Sequence, residues 1–389
     1  MTKSINMILM PLLVVSYIFG LRIVNLSGHT KLWFNILYML LIWSIYYFFS
    51  TSALMFFFEK FHPIEDKISF RLEIGITLLT IVFGVYYDKK FRNCLQKLNI
   101  VDSTLLELGT VTDYNNLHIK TWWIVLGWIM LILFMNFSST LYVKNKYNCN
   151  VEMAVFYIFI LNHCFHLNFI GDLTTASILN YIGLKFDQTN EHLQHLIKNN
   201  KHKKKQDWKN PMMYPDQCRF SKTLNRKCVI WIVIHLHLEL RKISNEIDSI
   251  FGTQMTFKMA CYFGWMVTDL REILCAILIN NYIQPRIIGV IINIIWFSHN
   301  VFKFLLINYM CETISTKASV TIDSLNRLLN FNYDVEIREI ISPYSLRITY
   351  APLRFYGVGL FQFGYKFLQK FIMSIATVLV IIIQAHANK

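Results

Sequence analysis

Apolar residues in this chain gather into long blocks rather than short alternating runs, a pattern that predicts helices and not strands. Seven blocks reach the length of about 20 residues that a helix needs to cross a bilayer: 33–57, 69–87, 121–143, 151–178, 255–282, 287–310 and 364–385. The first is nearly uninterrupted (WFNILYMLLIWSIYYFFSTSALMFF). The sixth, IIGVIINIIWFSHNVFKFLLINYM, carries Asn293, His299 and Lys303. An eighth stretch, 5–24, contains Pro11, Gly20 and Arg22 and has no clear cleavage site. It is expected as an interfacial or buried helix ahead of the first span.

A different period appears between the fourth and fifth spans. Val229, Ile232, Leu236, Leu240, Ile243, Ile247 and Ile250 recur at steps of 3 and 4, which keeps one helical face apolar for six turns. The stripe runs straight into the fifth span, so the helix should project from the membrane and bury that face. The stretch 311–331, with Ile314, Ile322, Leu325, Leu328 and Leu329, offers it a partner. Packing within one protomer and packing between subunits both satisfy the spacing. Pro343 is expected to interrupt the structure before the last span.

Composition agrees with a membrane protein. Of 389 residues, 54% are apolar, 15% aromatic and 16% charged, against roughly 25% charged in soluble domains. Mean hydropathy is +0.39. The net charge of +14 raises nucleic acid as a partner, but its placement favours membrane topology instead. With the N-terminus inside, 26 of the 38 Lys and Arg fall on the cytoplasmic side, five of them in an expected loop at 88–120, and 6 on the other, as the positive-inside rule requires. Segment 184–250 supplies half of the 26, and the bias survives its removal. Its KHKKK run at 201–205 reads as a solvated loop attracted to anionic lipid rather than a nucleic-acid site.

The expected architecture is therefore all-α: a polytopic membrane protein with seven transmembrane helices, a cytoplasmic N-terminus, an extracellular C-terminus and a helical cytoplasmic anchor region. Its parts are 1–32, a cytoplasmic segment with a short interfacial helix; 33–183, spans one to four; 184–254, a basic cytoplasmic loop and helical extension; 255–310, spans five and six; 311–363, the anchor segment; and 364–389, the last span with a short extracellular tail. Of eight cysteines only Cys149 falls in an outside loop, so no extracellular disulfide is expected. The sequon at Asn136 sits too near the bilayer to read as a glycan site.

The last block ends TVLVIIIQAHANK. Gln384 either reaches the outer headgroups or faces water inside an assembly, because an amide in hydrocarbon leaves its hydrogen bonds unmet. Insect gustatory receptors carry Thr-Tyr, five hydrophobic residues and Gln-Phe in their last span. Here Thr377 and Gln384 stand at that spacing, while Val378 and Ala385 replace the Tyr and Phe. GLFQFGYKFLQKFIMSIATVLVIIIQ resembles the family's lead-in to the final helix. MPLLVVSYIFGLRIVN is similar to its segment before the first span, and LHLELRKISNEIDSIFG to its approach to the fifth. The chain thus resembles the insect gustatory receptor family, relatives of the insect odorant receptors, along most of its length.

That resemblance implies a multi-pass plasma-membrane receptor for a small-molecule tastant, acting as a ligand-gated non-selective cation channel. It implies four subunits, as a homotetramer or a heteromer with related receptors, in contact with membrane lipid. The last helices would line the pore through Thr377, Ile381, Ile382, Gln384 and Ala385, with Ile381 and Ile382 as a dewetting constriction. Alanine at 385 suggests a wider outer gate. Leu379 stands where sugar-sensing members tend to carry Glu, which favours a bitter or other non-sugar tastant.

Family members bind ligand in the outer half of the membrane. At that depth this chain has Asn162 and His166 in the fourth span, Tyr262, Trp265, Asp269 and Glu272 in the fifth, and Trp296 in the sixth. Trp265 precedes Asp269 by one turn, so ring and carboxylate line one wall. Such a wall suits hydroxyls and cations. Charges at that depth cost about 2.5–3.5 kcal/mol on insertion scales and usually face a cavity or a partner. Arg271 either snorkels or pairs with an acid on another helix. His163 and His166 read as core histidines rather than metal ligands, since no third ligand has suitable spacing. The aromatics also admit a plain packing role.

Other functions fit less well. A G-protein-coupled receptor needs the N-terminus outside and Asp-Arg-Tyr and Asn-Pro-x-x-Tyr signals, which are missing here. A transporter would show internal repeats. An odorant receptor would share the architecture. No nucleophile–base set points to an enzyme, and no cofactor or nucleic acid is expected.

Overall fold

The computed structural model describes residues 4–21, 32–61, 64–209, 216–278, 286–331 and 335–387, with backbone only at 32, 54–61, 64–69, 146–147, 199–209, 216–226, 278, 286, 330–331 and 385–387. These residues are nearly all helical. The order is α1 (Ile5–Ile18), α2 (Leu32–Phe61), α3 (Ile64–Tyr86), α4 (Asp88–Glu107), α5 (Tyr114–Tyr147), α6 (Val151–Lys209), α7 (Asp216–Leu278), α8 (Arg286–Phe331) and α9 (Val335–Tyr350). A two-stranded hairpin of β1 (Tyr356–Gly357) and β2 (Phe361–Gln362) precedes α10 (Tyr365–Ala387).

Among the described residues, α2, α5, α6, α8 and α10 are each long and apolar enough to cross a membrane. Of the remaining two expected spans, one lies in α3, which together with α4 is apolar enough for a further span, and the other in α7, which carries the buried Lys258 and Asp269. α1 is a buried helix: Ile5, Ile8, Leu9 and Leu12 are enclosed, and it lies against α5, α6 and α4.

α6, α7 and α8 run past the spans and meet below them. The stripe on α7 is buried within the protomer, with Leu236, Leu240, Ile243, Ile247 and Ile250 all enclosed. Packing inside one chain therefore accounts for it. At the far end Leu193 and Ile197 of α6, Ile230 and Val233 of α7, and Leu325 and Leu328 of α8 close a second core with α9.

Three expectations change here. Pro343 does not interrupt: it lies inside α9. Proline costs a helix one hydrogen bond and a clash, but Ile337, Ile341, Tyr344 and Ile348 are buried on one face and hold the helix in place. The segment after α3 is not a loop but α4, an amphipathic helix bent 62° from α3, with Phe91, Leu95, Leu98, Val101 and Leu105 buried. KHKKK at 201–205 lies in the helical backbone of α6 rather than in a loop.

The hairpin sits tightly on α7. Asp248 accepts from the Tyr356 amide through both carboxylate oxygens, at 3.1 and 3.2 Å. Two glycines allow the approach. A Cβ on Gly252 would stand 2.8 Å from the Tyr356 carbonyl, and one on Gly357 2.8 Å from the Thr256 hydroxyl. The hairpin then leads into α10, whose first half stacks on the bundle: Phe371 lies 3.9 Å from Phe304, ring centroid to centroid, and edge-on to Phe263.

Candidate functional site

α6, α7 and α8 converge along the stretches expected as spans, and each turns one face inward at helical spacing. α6 contributes Asn162, Phe165, His166, Phe169 and Asp172; α7 contributes Tyr262, Trp265 and Asp269; α8 contributes Trp296, His299, Asn300 and Lys303. Phe165 is the centre of an aromatic cluster, with Trp265 edge-on at 5.0 Å and Trp296 at 5.6 Å. His166 stacks on Trp296 at 6.5 Å, and Trp296 reaches Ser139 of α5 at 3.4 Å.

Polar groups ring this cluster. The Asn136 side-chain oxygen accepts from Asn162 at 3.0 Å and pairs with His166 Nε2 at 3.1 Å. An oxygen there needs His166 to carry its proton on Nε2. Asn300 donates to Asp269 at 3.2 Å. Among the described residues, three buried atoms around the cluster have no hydrogen-bond partner: Asn136 Nδ2, His299 Nε2 and Asn300 Oδ1. An unmet buried polar atom costs about 1–3 kcal/mol, so three beside one aromatic cluster mark a place that a polar molecule would stabilise. Asn136 is buried in α5, which removes its sequon from the surface.

Five of the seven expected ligand residues thus stand together: Asn162, His166, Trp265, Asp269 and Trp296. The other two do not join them. Tyr262 is fully enclosed, and its hydroxyl donates to Asp172. Glu272 has a third of its side chain exposed and pairs with its neighbour Arg271 at 2.9 Å. His163 turns away from His166, toward Tyr46 at 4.9 Å and Phe19 at 5.7 Å.

Beneath the cluster lies a charged layer that reading the spans singly does not reveal. Lys258 Nζ bonds Asp172 at 2.7 Å and the Asn168 carbonyl at 2.9 Å. Asn168 in turn donates to Glu73 at 2.7 Å. The Lys303 ammonium lies over the Tyr262 ring at 4.6 Å, in the field of Glu73 and Asp172. The spacing of Trp296, His299, Asn300 and Lys303 on α8, like that of His166, Phe169 and Asp172 on α6, was the available signal for these residues.

The expected pore residues lie on α10, of which little is buried in the protomer. Phe371 and Ile375 face the bundle. Thr377, Ile381 and Gln384 are exposed and Ile382 is half-buried. Thr377, Ile381 and Gln384 follow at i, i+4 and i+7, which is one stripe. The side chain of Ala385 lies outside the described ones.

The family model described as "7tm Chemosensory receptor" matches residues 9–389. No curated protein matches the sequence significantly. Among solved structures, the insect olfactory receptor OR5 from Machilis hrabei is similar, with a TM-score of 0.64 at 10% identity over 98% of this chain and 97% of that one. The same receptor in complex with eugenol gives 0.63 at 11%, covering 97% of each. The sequence and fold agree: the chain belongs to the seven-transmembrane chemosensory receptor family.

Proposed function

We propose that this chemosensory receptor is a gustatory receptor that works as a ligand-gated, non-selective cation channel in the plasma membrane, with its N-terminus in the cytoplasm and its C-terminus outside. One observation carries the channel proposal. α10 leans on its own protomer through Phe371 and Ile375 but leaves Thr377, Ile381 and Gln384 exposed along one stripe. An amide exposed at the end of so apolar a helix is costly in lipid and satisfied beside water. Four such helices around an axis provide that water, in a homotetramer or a heteromer with related receptors, with Ile381 and Ile382 narrowing the path.

The ligand site is the aromatic cluster of Phe165, Trp265 and Trp296. Its unpaired Asn136, His299 and Asn300 atoms suit a small, largely apolar tastant with one or two hydroxyl or carbonyl groups. OR5, of the same fold, was solved with eugenol. α7 connects the two sites, since it carries Trp265 and also holds the hairpin that leads into α10 through Asp248.

An odorant receptor is the second reading, favoured by the likeness to OR5; the Thr377–Gln384 spacing favours the gustatory one. Patch-clamp recording of cells expressing this chain, screened with non-sugar tastants and volatile odorants, separates them. Tastant-evoked cation current supports the proposal. Current evoked by volatiles alone supports the odorant reading, and a response that needs G-protein signalling overturns the channel.

A further inference from the structure

Outside the membrane-spanning segments, α4, α7 and the end of α9 enclose a groove of about 680 Å³ whose lining includes Lys90, Arg241, Lys242 and Arg347. We propose that this groove binds a multiply charged phosphate group, such as the headgroup of a phosphorylated membrane lipid.

The charge in the groove is not balanced from within. Of its two carboxylates, Glu246 is held at 2.5 Å by a fifth cation, Lys97, and by the Cys94 thiol at 3.2 Å. Lys242 also lies in the field of Glu246, so five cations stand against two carboxylates. Two of the four that line the groove are positioned by neutral acceptors. Lys90 donates to the Ser249 hydroxyl at 2.5 Å, and Arg241 donates to the Ala351 carbonyl. Those contacts fix the cations without neutralising them. Burial lowers the Arg241 pKa, and the neighbouring Arg347 charge presses the same way. Like charges brought together from three helices, each on a rigid element, form a site prepared for an anion. Guanidinium groups favour phosphate because their forked donors match its oxygens.

The position favours a ligand at the membrane surface. Lys90 stands four residues past Tyr86, where α3 ends. Ser249 comes six residues before 255, where the fifth span is expected to begin, which is about 9 Å at the helical rise. A headgroup projecting from the leaflet reaches that depth. Arg347 and Ala351 also lie just before the hairpin that leads into α10, so an occupied groove would brace the approach to the proposed pore helix. The lipid source rests on the cytoplasmic placement proposed above; the charge of the groove does not.

The test uses the full-length receptor purified in detergent, where binding does not depend on orientation. The probes are short-chain phosphatidylinositol 4,5-bisphosphate and its free headgroup, inositol 1,4,5-trisphosphate. Both should bind saturably. Lys242→Gln with Arg347→Gln, two exposed positions, should weaken binding roughly 25-fold, about fivefold per charge. Arg327→Gln with Arg338→Gln, exposed residues away from the groove, should change it less than twofold. Tighter binding of the lipid than of the free headgroup identifies a membrane-borne occupant, and equal binding identifies a soluble one. Absence of saturable binding by either probe, or an equal loss in the control variant, overturns the site.

Discussion

Replacing Lys258 with methionine tests the charged layer beneath the ligand cluster. Lys258 and Asp172 are 2.7 Å apart with side chains 1% and 0% exposed. Around them stand Glu73 and Lys303, so two cations face two carboxylates in a low-dielectric site. Removing one partner of a buried pair leaves an uncompensated charge and costs about 3–5 kcal/mol. Lys258→Met leaves Asp172 with the Tyr262 hydroxyl as donor, and Asp172→Asn leaves the ammonium with neutral acceptors in place of the carboxylate, the Asn168 carbonyl at 2.9 Å among them. Each single variant should therefore lose that amount. The double variant removes both charges, keeps an acceptor for Tyr262 and restores the balance between Glu73 and Lys303. It should lose less than either single variant, because exchanging a buried pair for uncharged groups is often near neutral. Unfolding in mixed detergent, followed by tryptophan fluorescence, gives the three midpoints. Losses in the double variant equal to the sum of the singles would show that the two groups do not act as a pair, and the account of α6 held to α7 by charge would fail.

Further outcomes follow from the same contacts. His237 is enclosed between Phe186, the Ala318 carbonyl and the Tyr344 hydroxyl, and burial pushes its pKa down to about 4 from 6.5. Its lowered pKa gives stability that is present above pH 6.5 and lost as pH falls through about 4, worth about 3 kcal/mol; His237→Gln should flatten the unfolding midpoint across that window. Asp248 runs the opposite way. Burial raises it from 3.8 to about 6, so its contribution is fully present below pH 3.8 and gone above about 6; Asp248→Asn should remove that dependence while keeping an acceptor for Tyr356. Gly252→Ala drives a methyl into the Tyr356 carbonyl and should displace the hairpin, costing about 1–3 kcal/mol and reducing maximal current. Trp265→Ala should raise the tastant concentration for half-maximal current at least tenfold with surface expression unchanged; an unaltered dose response would remove the residue from the site.

Much of this architecture was legible because the signals are local. The apolar blocks fall in the long helices α2, α3, α5, α6, α7, α8 and α10, and the stripe from Val229 to Ile250 located the extension of α7. Trp265 and Asp269 were found together because one turn joins them. What was missed depends on partners far away in sequence. α4 interleaves Lys89, Lys90, Arg92 and Lys97 with its apolar face, so its average polarity reads as a loop until α7 is there to cover Phe91 and Leu98. Lys258 and Asp172 lie 86 positions apart, and each alone looks like an expensive intrusion into a span. Tyr262 was placed in the pocket as an aromatic group at the expected depth of the fifth span, but its hydroxyl donates to Asp172 in the charged layer. Pro343 is tolerated in α9 because of the core beneath it, which no local rule encodes.

The proposal that α10 lines a water-filled path is tested most directly at Gln384. Single-channel recording of Gln384→Glu and Gln384→Lys in cells expressing the receptor measures whether that side chain meets the passing ions. A carboxylate there should raise cation conductance and an ammonium should lower it. Unitary currents identical to wild type in both variants would contradict a pore at this helix.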